Sequence, residues 1–95
     1  MTVTIVRHRV ADFDAWKGTY DGFRDAQREG GVRAHSVLRS VDDPNMITVT
    51  HTFDSADAAH AFFDNEALKE AMARGGVDVS SLSLEYLEEV ESGTL

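Results

Sequence analysis

An α+β fold is predicted, in which the element order β-α-β-β-α-β builds a four-stranded antiparallel sheet with its helices on one face. Three observations point to it. Two stretches, TVTIVRHRV (Thr2 to Val10) and MITVTHTF (Met46 to Phe53), are β-branched and alternate as strands do. Two others carry apolar residues at three- and four-residue steps, as amphipathic helices do. Between the second and third strand candidates lies DDPN (Asp42 to Asn45), where Pro44 presets φ and Asp43 and Asn45 can bond their own backbone, so those strands form a hairpin.

Each element has a local reason. The first strand ends at ADFD, where Asp12 or Asp14 can accept from the free N–H groups of a helix start. Phe13, Trp16, Tyr20, Phe23 and Gln27 then form one stripe, which predicts a single helix facing the sheet. Gly30 and Gly31 in REGGV stop it. The second strand is expected from Val32 to Val41 and the third from Met46 to Phe53. Asp54 or Ser55 caps a helix that runs to about Asp64, and EALKEAMAR supplies another. Ala59, Phe62, Leu68 and Met72 point inward from these two. The fourth strand is expected from about Leu82 to Val90, with Leu82, Leu84 and Tyr86 on one side and Leu87 on the other. The chain of 95 residues reads as one domain, 1–95, with an ordered core from about 2 to 90 and a loose tail, ESGTL.

Composition narrows the function. Seventeen acidic against nine basic residues give a formal charge of -8, which repels phosphate backbones and argues against nucleic acid as a partner. No apolar run is long enough to span a membrane and the N-terminal stretch is polar, so a soluble, cytoplasmic protein is expected. Cysteine is absent, which removes disulfides, thiolate nucleophiles and thiolate metal sites together. No Gly-x-Gly-x-x-Gly or Walker pattern occurs, and Ser36 and Ser40 lack the sharp strand-to-helix turn that exposes a nucleophile. Arg7, Arg9, Arg33 and Arg39 fall on strands, either as an anion-attracting face or as strand-edge ion pairs.

Both sheet faces are partly apolar: Val3 and Ile5 alternate with Val6 and Val10, and Leu84 and Tyr86 with Leu87. Helices cover one face. A two-fold mate laid on the other would bury it and form a barrel with the helices outside, so a homodimer is expected.

GVRAHSVLRSVDDPNMITVTHTFDSADAAHAF followed by NEALKEAM resembles the antibiotic biosynthesis monooxygenase-like family of the dimeric α+β barrel, ferredoxin-like superfamily, over nearly the whole chain. The resemblance implies a small-molecule enzyme similar to cofactor-independent monooxygenases and cyclases that act on aromatic or polyketide-like substrates. By it, Phe53 stands where relatives place a pocket tryptophan and His8 where they place an asparagine. Met72 stands where haem-degrading members carry an iron-ligating histidine, which speaks against haem binding as a third reading.

One residue breaks the alternation of the third strand: His51 in the row Ile47, Val49, His51, Phe53. With a hairpin parity that puts Ala34, Ser36, Leu38 and Ser40 on the same face, and Val6, His8 and Val10 from the first strand, His8 and His51 stand near one end of a small chamber under Trp16, Tyr20 and Phe62. Small residues leave volume there, as a ligand pocket requires. Catalytic candidates are therefore His8 and His51, either one a general base near neutral pH. Substrate-binding candidates are Trp16, Tyr20, Ser36, Leu38, Val49, Phe53, Phe62 and Met72. His35 is expected on the opposite face with Arg33 and Arg39, and His60 at the solvent side of its helix. Two imidazoles without a third ligand make an incomplete metal set, so neither metal nor cofactor is expected. The rival reading is a non-enzymatic module in which the same chamber binds an aromatic metabolite or is filled by side chains.

Overall fold

The computed structural model describes residues 1–95. Its elements are β1 (Thr2–Val10), α1 (Phe13–Gly22), α2 (Arg24–Glu29), β2 (Ala34–Arg39), β3 (Met46–Phe53), α3 (Ala56–Phe63), α4 (Glu66–Arg74) and β4 (Val77–Glu88). All four strands form one antiparallel sheet in the order β2-β3-β1-β4, so β1 and β3 are its central pair. Their β-branched residues and strict alternation suit strands that are flanked on both sides.

Helix starts follow the capping residues. The Asp12 side chain accepts from the Ala15 N–H at 3.0 Å, Ser55 from Ala58 at 3.1 Å, and Asn65 from Ala67 at 2.8 Å. The single long helix expected from the first stripe is two helices. They meet at Phe23 (φ -93, ψ 9), whose N–H bonds tightly back to Tyr20 O, next to Gly22, a poor helix former. The bend allows Phe23 and Gln27 to face inward with Trp16 and Tyr20. Gly31 closes α2 with φ 92, and Gly30 sits so close to the Phe62 ring that a Cβ would fall 2.6 Å from Cδ1.

Two strands differ from expectation. β4 begins at Val77, five residues before Leu82, because the polar run Asp78 to Ser81 forms a bulge within the strand: the Ser80 N–H donates to Asp78 Oδ1, Ser81 Oγ to Asp78 O, and the Arg9 N–H to Ser81 Oγ. β2 is shorter than expected and has the other parity. It pairs His35 with His51, Val37 with Val49 and Arg39 with Ile47. His35, Val37 and Arg39 therefore share the helix-covered face, and Ala34, Ser36 and Leu38 lie on the reverse. The physical cause is the loop: Ser40 N bonds Met46 O, closing the hairpin with one residue's difference in count, and a one-residue slip flips every side chain of the strand. β2 is an edge strand with mostly exposed residues, so burial gave its sequence no strong alternation from which to read that register.

Buried residues mark the covered face: Thr4, Val6, His8 and Val10 from β1, and Ile47, Val49, His51 and Phe53 from β3. The core divides in two. Val10, Trp16, Ile47 and Val49 pack at one end, and Phe53, Ala59, Phe62 and Leu68 at the other. No helix covers the reverse face, where Val3 and Ile5 lie among Thr48, Thr50 and Thr52, with Leu38 54% and Leu87 37% exposed. The accessible surface of 5989 Å² exceeds the roughly 5,400 Å² typical of a folded chain this size, and this face and the extended C-terminal tail both contribute.

Candidate functional site

A cavity opens between the two core clusters. It is lined on the sheet side by Val6, His8, Val49 and His51, on the α1 and α2 side by Trp16, Thr19, Tyr20, Phe23 and Gln27, and on the α3 and α4 side by Phe63, Leu68, Ala71 and Met72. Its interior of about 60 Å³ widens into a mouth that brings the empty space to about 490 Å³. The interior alone is too small for a fused-ring molecule, so an aromatic ligand seated here extends into the mouth.

His8 and His51 both line this cavity, and both are buried, at 3% and 4% exposure. They are not at one end. His8 pairs with Ile47 and His51 with Thr4, four residues apart along β1, which places them about 13 Å from each other along the strands. A line of rings connects them: His8 meets Trp16 edge-on at 5.7 Å, Trp16 stacks on Tyr20 at 5.0 Å, and Tyr20 lies parallel to His51 at 6.3 Å. Each imidazole keeps a buried Nδ1 with no hydrogen-bond partner. A well-packed core avoids such atoms, because an unsatisfied buried polar group costs stability.

Burial lowers the pKa of both histidines. For His51 it reaches about 4, with the nearby His35 adding to the effect. His8 is lowered by desolvation too, with the polar backbone groups of His8 and Arg9 opposing the change. Burial also raises the Tyr20 hydroxyl above the usual phenol value, against the opposing influence of the Gln27 side chain and the Arg24 charge, and keeps it protonated.

The Tyr20 hydroxyl stands between two imidazoles, 2.9 Å from His35 Nδ1 and 3.3 Å from His51 Nε2. It has one proton to donate. If His35 receives it, His51 must donate its Nε2–H to the phenol oxygen and its Nδ1 is a bare acceptor; if His51 receives it, His51 carries its proton on Nδ1 and His35 donates. Tyr20 thus bridges a solvent-facing histidine and a buried one.

Among the residues expected in the site, His8, His51, Trp16, Tyr20, Val49 and Met72 line the cavity. Phe53 and Phe62 do not. They are buried behind it, with ring centroids 6.2 and 5.6 Å from that of His51, and fill the second core cluster. Ser36 and Leu38 lie on the reverse face, a consequence of the β2 register. That register also corrects His35 and Arg39: His35 reaches Tyr20, and the Arg39 guanidinium lies 4.4 Å from the Phe13 ring centroid. His60 is exposed and stacks on Tyr86. The site candidates did not include Val6, Phe23, Gln27 and Leu68, expected only as inward-facing, nor Thr19, Phe63 and Ala71, which sequence reasoning missed altogether. The adjacent pair Phe62 and Phe63 held the signal, since two neighbouring aromatics on a helix face different directions. No group of three or more His, Asp or Glu side chains converges in a geometry that could hold a metal.

The sheet order, the helices on one face and the ring-lined cavity beneath them define a ferredoxin-like α+β domain. A family model described as antibiotic biosynthesis monooxygenase matches residues 13–74, more than half of the sequence, and the chain belongs to that family. Solved structures agree on the fold. SnoaB, a cofactor-independent oxygenase of Streptomyces nogalater, is similar in two structures: a mutant at TM-score 0.78 and 12% identity, covering 96% of this chain and 94% of that one, and another at TM-score 0.71 and 14% identity, covering 99% and 95%. A Deinococcus radiodurans protein provisionally described as an antibiotic biosynthesis monooxygenase aligns at TM-score 0.76 and 16% identity over 100% of this chain and 98% of that one. A search of curated proteins gives no significant match. No helix is long and apolar enough to cross a membrane.

Proposed function

We propose that this chain is a cofactor-independent, monooxygenase-like enzyme acting on an aromatic substrate held between sheet and helices. One observation carries the reading: two buried imidazoles, each with an unpartnered Nδ1, line the same apolar, ring-walled cavity. Family membership and the likeness to a cofactor-independent oxygenase fold support it.

His8, which lines the cavity with an unpartnered Nδ1, serves as the general base. It removes a proton from an acidic C–H or phenol of the substrate. The resulting anion lies along the ring wall of Trp16 and Tyr20, and His51, held neutral by burial, and Gln27 can donate hydrogen bonds to the developing oxyanion. The electron-rich carbanion reduces O₂, a C–O bond forms, and loss of water from the hydroperoxide leaves a carbonyl; one oxygen atom enters the product and the other leaves as water. The apolar lining limits water around the anion.

The open reverse face joins a second copy in this reading, as the rows Val3, Ile5, Leu38 and Leu87 would then leave water. The test uses anthrone, whose central CH₂ is acidic, as probe. Conversion to anthraquinone above the uncatalysed rate under air, none under nitrogen, and its loss in a folded His8→Leu variant are the expected results. Saturable binding without turnover would favour the non-enzymatic binding module instead.

A further inference from the structure

Beside the apolar cavity lies a second one of opposite character. It has about 210 Å³ of interior and is lined by Arg24, Gln27, Arg28, Arg33 and His35 with two small apolar neighbours. No carboxylate lines it. In a chain with formal charge -8, three of nine Lys and Arg residues meet here. Arg24 and Arg28 are four apart on α2, a spacing that places like charges side by side and weakens a helix.

The guanidinium groups are not saturated. Asp21, Asp25 and Asp54 pair with Arg24, Arg28 and Arg33 at 3.5, 3.2 and 2.9 Å, but each guanidinium has five N–H donors and each carboxylate engages only one or two. Arg24 also keeps a buried Nε with no partner. The two cavities touch. Gln27 lines both, and Tyr20 of the apolar one is hydrogen-bonded at 2.9 Å to His35 of the basic one.

We infer that the basic cavity is an anion subsite for a carboxylate carried by the aromatic substrate, with the ring in the apolar cavity and the charge among Arg24, Arg28 and His35. This rests on the proposed function for the placement of the ring. The small interior of the apolar cavity requires a ligand to extend beyond it, and the Gln27 side chain, which lines both cavities, is the boundary across which a substituent would reach a donor-rich space. Arginine suits a carboxylate because its planar fork matches both oxygens, and such charge-assisted bonds are stronger than neutral ones.

The test compares 2-naphthoate with 2-naphthamide, its uncharged isostere, by calorimetric titration at low salt with the full-length protein. Naphthoate is expected to bind at least about tenfold more tightly, the preference shrinking as salt is raised. Arg24→Gln and Arg28→Gln should reduce naphthoate to the affinity of the amide and leave amide binding unchanged; Arg28 is exposed and Arg24 half-buried, and circular dichroism checks the fold. Equal binding of acid and amide, or a preference that survives in the double variant, overturns the subsite while the aromatic cavity stands. If neither compound binds and neither shifts the His51 ring resonances, the subsite falls together with the functional reading on which it rests.

Discussion

Replacing His51 with leucine should flatten the response of stability to acid. In the folded protein the His51 pKa is about 4, against an ordinary value of 6.5, because burial disfavours the charged ring. Between these pH values the unfolded chain takes up a proton that the folded chain refuses, so each step down in pH favours unfolding. The stabilisation is complete above about pH 6.5 and is lost progressively until about pH 4, below which both states are protonated. At about 1.4 kcal/mol per pKa unit, the loss amounts to about 3 kcal/mol. The ring is 4% exposed, so solvent screening does not reduce this figure much. For a domain of this size that corresponds to roughly 12–24 °C in melting temperature. Carboxylates and His8 also titrate in this range, so the measured quantity is the difference between wild type and His51→Leu in urea denaturation from pH 7 to 4. The wild type should lose about 3 kcal/mol more than the variant. Parallel curves, or an NMR titration placing the His51 midpoint near 6.5, would refute the burial argument.

Tyr20→Phe removes both hydrogen bonds that join His35 to His51 and should cost about 1 kcal/mol in urea denaturation. Gly30→Ala places a methyl group against the Phe62 ring and should lower stability by about 1–3 kcal/mol, read as a shift in thermal midpoint. Leu38→Lys puts a charge on the open sheet face; if two copies meet there, sedimentation will show monomer for the variant and dimer for the wild type, with monomer unfolding little changed because Leu38 is 54% exposed.

Local chemistry made most elements readable. β1 and β3 have the expected limits because both are central strands whose alternation records burial on one face, and the α3 and α4 starts follow Ser55 and Asn65. His8 and His51 share the helix-covered face for the same reason: parity within a strand is a property of spacing alone. Other features depended on which strand meets which, and in what register. The position of His35 turned on one residue in the hairpin count, which edge-strand composition does not encode. The fourth strand was expected only from Leu82 because Asp78 and the serines after it are polar, and their side chains bond backbone groups within a bulge that alternation does not reveal.

The amino-acid order was thus enough for the α+β class, the central strand pair and the facing direction of two histidines, because these follow from short-range periodicity and capping. The separation of about 13 Å between those histidines along the strands, the Tyr20 hydroxyl between two imidazoles and the contact of an apolar with a basic cavity arose only on folding. They depend on strand register and on the bend at Phe23, which bring residues distant in sequence to one place.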